Sequence, residues 1–196
     1  MLLVCLAAAA RLSQPSVAAP ADILCQGARW PVKTLTDPDA ASVVRPARKT
    51  WVLALNQAAR PADLKTTTGR LAPELVTFVV SARLGEARIM GDGDIHLVIK
   101  GLTTSATMVV ELPDPRCSET ADPAEAARMA GARAALERVC GRISYLPVNL
   151  VGRAEITGVF FFDFVNGAAG QAANEAELHP VTGFRLQSAR CSRSVR

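Results

Sequence analysis

From Leu75 onward apolar side chains fall on every second position, and this alternation constrains the fold more than any other feature of the chain. Val76, Phe78, Val80, Ala82 and Leu84 share one phase. At Gly85 the phase slips by one residue, and Ala87 and Ile89 continue on the odd positions. A period of two predicts a strand with one buried face. A one-residue slip at a glycine predicts a β-bulge that bends it. Asp92-Gly93 is a hairpin turn signal. Ile95, Leu97 and Ile99 then form the apolar face of a second strand, and Thr107 to Leu112 predicts a third.

A helix follows. Asp122 caps it, Pro123 takes its first position and Glu125 stands three residues after the cap. Met129, Ala132, Leu136 and Val139 mark its buried stripe, and Gly141 ends it. Val148 to Phe164 predicts a fourth strand and Glu177 to Leu186 a fifth. The chain therefore reads as mainly β with one helix, in the order β-β-β-α-β-β. That is the order of a small five-stranded OB-like barrel, with an open α+β sheet as the alternative. The barrel is expected over residues 74–188. Residues 22–73, rich in Pro, Ala and Thr, read as an irregular N-terminal extension. Within it Thr50 to Asn56 fits either a helix or a strand, and Trp30 and Trp51 are expected to anchor the extension by burial. Residues 189–196 read as a basic, solvated tail.

With 196 residues, 49% hydrophobic and 20% charged, the chain can bury one domain-sized core, which excludes a disordered chain. The first residues differ from the rest. Leu2 to Ala10 is apolar but too short to span a bilayer, and Ala19-Pro20-Ala21 has a small-x-small cleavage pattern. Residues 1–21 thus read as a signal peptide and the protein as exported, periplasmic or extracellular. Four cysteines remain after cleavage: Cys25, Cys117, Cys140 and Cys191. An even count outside the cell predicts two disulfides, with three connectivities open. No C-x-x-C spacing points to a zinc ribbon. The mature chain holds no membrane span, and a monomer is expected.

The candidate site comes from the chain's two histidines, each two residues after a carboxylate: Asp94-Ile95-His96 and Glu177-Leu178-His179. Alternation places Asp94, His96, Val98 and Lys100 outward on the second strand, Glu111 outward on the third, and Glu177, His179, Val181 and Arg185 outward on the fifth. In an OB barrel the third strand lies between the other two. Asp92, Asp94, His96, Glu111, Glu177 and His179 could then share one outer surface, with the histidine backbones about 10 Å apart. One reading is a divalent-metal site, calcium or zinc, used to hydrolyse a phosphodiester or similar bond. The other is a polar patch in which Asp94 and Glu177 orient the imidazoles, with the extension as its cover. No nucleophile elbow, P-loop or H-E-x-x-H is present. The outward faces of the second and third strands carry no aromatic for base stacking, which disfavours nucleic acid as a partner. Phe160, Phe161, Phe162 and Phe164 are expected to be packing residues.

Two resemblances follow from these residues. Arg29-Trp30-Pro31-Val32-Lys33-Thr34, Thr36-Asp37-Pro38-Asp39-Ala40, Asp92-Gly93-Asp94-Ile95-His96-Leu97-Val98, Glu111-Leu112-Pro113-Asp114-Pro115 and Glu177-Leu178-His179-Pro180-Val181 resemble segments of a group of uncharacterised exported bacterial proteins. That resemblance implies export and a shared fold, and brings no activity. The barrel with an Asp-Gly-Asp turn is similar in architecture to staphylococcal-type nucleases, in which such an aspartate helps hold calcium. Only Asp92 and Asp94 match. The Asp-Thr-Pro-x-Glu element of those enzymes is replaced here by Glu111-Leu112-Pro113-Asp114-Pro115, so no catalytic role carries over. The reading of function is a binding or interaction module of unknown ligand, with a metal-dependent hydrolase as the alternative.

Overall fold

The strands predicted after Leu75 are present, and a sixth joins them from the N-terminal extension. The computed structural model describes residues 23–62, 64, 67–164 and 167–193. The expected signal peptide and the last three residues of the expected tail lie outside these. The elements are α1 (Trp30–Lys33), β1 (Val44–Thr50), α2 (Val52–Asn56), β2 (Val76–Ile89), β3 (Ile95–Gly101), β4 (Thr107–Leu112), α3 (Pro123–Cys140), β5 (Val148–Phe162) and β6 (Ala176–Arg193).

The sheet order is β1-β2-β3-β4-β6-β5, and β2 also pairs with β5. Strands β2, β3, β4, β6 and β5 thus form a barrel-like circuit of pairings. Its weakest joint is the parallel ladder of β4 and β6, where Val109 pairs with Glu177 and Val110 with Leu178. The count is six strands rather than five, because Val44 to Thr50 adds to β2 in parallel. The extension is therefore not irregular throughout, and Val52 to Asn56 resolves as a helix.

Strand β2 makes this possible by being long and bent. Its first half pairs with β1, up to Thr50 opposite Val80, and its second half pairs on the same edge with β3, from Gly101 opposite Ala82. The register shifts between Leu84 and Ala87 against β3 and between Arg83 and Glu86 against β5, the bulge expected at Gly85. A Cβ at Gly85 would stand 2.9 Å from the Val98 carbonyl oxygen, so this crossing needs glycine.

The main core takes one face of every strand in the circuit: Val80, Leu84, Ile95, Leu97, Ile99, Met108, Val110, Leu112, Phe160, Phe162 and Leu178 are buried in it. The helix contributes Ala132 and Leu136, while Met129 joins a second cluster with Leu35, Val43, Ala121 and Val159. The Asp122 side chain accepts from the N–H groups of Ala124 (2.9 Å) and Glu125 (3.3 Å), as a cap should. The Glu125 carboxylate turns to Arg45 and Arg128.

Several expectations need correction. Val139 is exposed and off the buried stripe. Val181, expected outward, is buried in the main core, because the β5–β6 register shifts around Gly158 and changes the phase of β6. Trp51 anchors nothing: it is 64% exposed. The expected tail is strand as far as Arg193, with Cys191 opposite Leu150 and joined to Cys140. The second disulfide joins Cys25 to Cys117, which selects one of the three connectivities. The Cα separations are 5.1 Å and 5.2 Å. Among the described residues no helix is long and apolar enough to cross a membrane.

Candidate functional site

The two carboxylate-x-His pairs meet on the outer face of the circuit, as alternation predicted, but that face is covered. Asp94, His96, Glu111, Glu177 and His179 are all buried. Residues 23–25 dock on the turn at the edge of this layer, and each contact has a local cause in sequence. Gly91 and Gly93 leave two positions of the turn between β2 and β3 without side chains. A Cβ at Gly91 would meet Ile23 Cδ1 at 2.5 Å, and one at Gly93 would meet Leu24 Cδ1 at 2.6 Å. Gly93 also has φ +98, a region that favours glycine. The Cys25 N–H donates to the Asp92 carbonyl (3.0 Å), and Cys25 is disulfide-bonded to Cys117. The Gly-Asp-Gly-Asp turn is thus a docking pad for the start of the described chain.

Beneath the pad the polar groups sort into two sets. His96 Nδ1 lies 2.8 Å from Glu111 Oε1, directly across the β3–β4 ladder. His96 Nε2 lies 3.5 Å from the Ala169 carbonyl. His179 sits between two carboxylates: Nδ1 is 3.1 Å from Glu177 Oε1 and Nε2 is 3.1 Å from Asp94 Oδ2. The other Asp94 oxygen accepts from the Asp114 N–H (3.0 Å). The Asp94 N–H donates to Asp92 Oδ1 (3.1 Å), which ties the turn to the strand. Asp94 therefore orients the histidine of β6, not the one on its own strand; Glu111 orients His96.

Lys33 and Asp163 belong to the same buried layer. Lys33 Nζ is 3.4 Å from Asp163 Oδ1 and lies over the Phe161 ring, 5.3 Å from its centroid. The Arg29 guanidinium covers the same ring at 4.7 Å, and His179 meets its edge at 5.8 Å. Phe161, between the core residues Phe160 and Phe162, is the apolar floor of the charged layer. Arg29 is held bidentately by the buried Glu74, which also accepts from the N–H groups of Leu71 (2.8 Å) and Phe162 (3.0 Å). Arg70 forks onto Asp37 (2.6 and 2.9 Å) and locks the loop behind α1.

Burial and crowding set the proton affinities. Burial pushes the Asp92 carboxyl up to about 6, and Asp94 and Glu111 add to the push. Burial, then Asp163, pushes Glu177 up to about 7. Burial pulls His179 down, but its bonds to Asp94 and Glu177 more than offset this and raise it to about 10. For His96 burial again opposes, and the Glu111 bond carries the net shift upward. For Lys33 the carboxylates of Glu177, Asp163, Glu111 and Asp92 outweigh burial and raise it too. At neutral pH the His179 imidazole is accordingly a cation clamped between carboxyl groups.

This arrangement does not present the six predicted residues as a ligand set. Both ring nitrogens of His179 are taken by carboxylates, and a metal on either would have to displace one. Among the described residues no group of three His, Cys, Asp or Glu side chains is placed to hold a metal ion. Two cavities lie elsewhere. One, of about 420 Å³, is lined by Trp51 and its neighbours; the other, of about 470 Å³, lies beside Asp37, Arg45 and Glu125. None of the six residues lines either.

Sequence reasoning found Asp94, His96, Glu111, Glu177 and His179 but missed Lys33, Asp163, Arg29 and Glu74. A signal existed for two of them. Asp163 interrupts an apolar run, and Lys33 is the one charge between Trp30 and Thr36. A charge set in apolar sequence is stable inside a protein only with a partner, and each was the other's partner. No family model, curated protein or solved structure matches the chain.

Proposed function

We propose that this protein is an exported binding module on an OB-like barrel, in which the His and carboxylate residues clasp the N-terminal segment onto the barrel. Three features support the architecture: the closed circuit of pairings, the parallel β4–β6 joint, and the helix between β4 and β5. Strand β1 is then an addition to the barrel. The two disulfides favour an oxidising compartment, in keeping with the leader-like residues 1–21.

The observation that carries the reading is the state of His179. It is 1% exposed, and both its nitrogens are bonded to carboxylates of the same network. A hydrolytic centre needs a position where substrate and water reach the acting group. Here both ring nitrogens are already taken, and Arg29 and Lys33 lie over the Phe161 ring that meets the imidazole.

The experiment is thermal unfolding with chelator, then with calcium, zinc and manganese, beside an assay on a chromogenic phosphodiester. We expect a melting temperature that is flat within error and no metal-dependent hydrolysis. A metal-dependent rise that His96→Ala abolishes, together with turnover, would overturn this reading in favour of the hydrolase.

A further inference from the structure

The cavity beside Trp51 has a structural origin in β2. Strands β1 and β3 share one edge of β2, and they meet at Ser81, between the Thr50–Val80 and Gly101–Ala82 pairs. The seam opens into a groove of about 420 Å³ with Ser81 in its wall. One rim is Trp51, the first residue before α2. The other is the β3–β4 turn, including Leu102, Thr103 and Thr104.

Both rims are rigidly mounted. The Trp51 carbonyl accepts from the Ala54 N–H (3.0 Å), and the next residue, Val52, is fully buried. Asn56 at the end of α2 donates to the Thr107 carbonyl (2.8 Å). Across the groove, Arg83 Nη2 donates to the Thr104 carbonyl (3.2 Å). An indole that stays 64% exposed on a fixed backbone loses little freedom when something packs on it.

The groove also carries a charge bias. Glu155 in its wall is neutralised by Arg185 (2.9 Å). Lys49 at its edge has no ion-pair partner among the described residues. One flat aromatic, several hydroxyls from Thr50, Ser81 and Thr103, and one free ammonium therefore face the same space. A sugar ring offers a C–H face that packs on an indole and hydroxyls that bond to threonine and serine. A carboxylate on the sugar would pair with Lys49. Single-stranded nucleic acid fits less well, since it needs successive stacking aromatics and a row of cations.

We propose that this groove binds a carboxylated oligosaccharide, with Trp51 as the stacking surface and Lys49 as the carboxylate partner. The proposal rests on the binding-module reading. Its test is calorimetric titration of the full chain with soluble oligosaccharides bearing a carboxylate on the ring or on a lactyl ether. Their neutral analogues, an oligothymidine and an acidic peptide serve as comparisons. We expect binding by the carboxylated sugars, weakened up to about tenfold in Trp51→Ala. Lys49→Ala should weaken it about two- to fivefold for the charged sugar and leave the neutral analogue unchanged. Both side chains are exposed, so both variants should fold. Equal affinity of Trp51→Ala and the unaltered protein would overturn the site, and equal affinity for neutral analogues would overturn the role of Lys49. Binding of only the oligothymidine or the peptide, or of no probe, would overturn the ligand class. The binding-module reading is judged apart from this, by the metal and hydrolysis experiment.

Discussion

The clasp beneath residues 23–35 and the groove beside Trp51 sit on the same sheet and are built on contrary terms. In the clasp, charged groups are packed close, shielded from water and paired with one another. His179 is saturated by Asp94 and Glu177, and Lys33 closes the layer from above. In the groove, charges are few, a large aromatic faces water and one cation lacks an ion-pair partner among the described residues. The clasp spends its polar groups on internal bonds; the groove keeps them for something outside. A concentration of reactive side chains is therefore a poor pointer to a ligand when their hydrogen-bonding capacity is already used.

The sharpest way to break this contrast is His179→Ala. It strands Asp94 and Glu177 in a buried site without the cation they share, which should cost about 3–5 kcal/mol in urea unfolding. A loss below about 1 kcal/mol would make the cluster as dispensable as a surface patch. Replacing Cys25 and Cys117 together by serine should cost about 2–5 kcal/mol, because the crosslink closes a sequence separation of 92 residues. The loss should come with faster proteolysis within 23–35; an unchanged digestion pattern would mean that the segment is held without its staple.

The pH profile is a subtler probe. Asp92, Glu177 and His179 all have folded values above their ordinary ones, about 6, 7 and 10. Each binds protons more tightly when folded. Their contribution is complete below the unfolded values and is lost as pH rises through the folded ones. Melting temperature should therefore fall from pH 5.5 to pH 10, by about 1–3 kcal/mol in stability, because coupled groups do not simply add. Glu177→Gln should flatten the part of the profile near pH 7. A melting temperature that climbs over this range would contradict the clasp electrostatics. The smallest effect is expected at Trp51, where alanine should change stability by no more than about 0.5 kcal/mol. A larger loss would make the indole a structural anchor after all.

Much of the sheet was legible because alternation and capping are local. The bulge at Gly85, the turn at Asp92-Gly93 and the cap at Asp122 each follow from a few adjacent residues. Strand β1 was not legible. Val44-Arg45-Pro46-Ala47-Arg48-Lys49-Thr50 has no apolar alternation, since it lies on a sheet edge with nearly every side chain exposed. The outward phase of His96 and His179 was readable from period two. Their burial was not, because it depends on segments distant in sequence: the loop at Ala169 reaches His96, and Arg29 and Lys33 lie over the Phe161 ring beside His179. Alternation tells which face a residue takes and is silent on what later covers that face.

The ties of residues 23–35 also fix an order of events. Arg29 bonds to the carbonyl of Phe162, 133 residues further along, and Lys33 pairs with Asp163 just beyond it. Closing loops of that length costs entropy before any contact repays it. A chain synthesised from its N-terminus thus carries its clasp open until β5 has followed. The first part to emerge is among the last to be fastened, and until then the buried histidines and carboxylates stand in water.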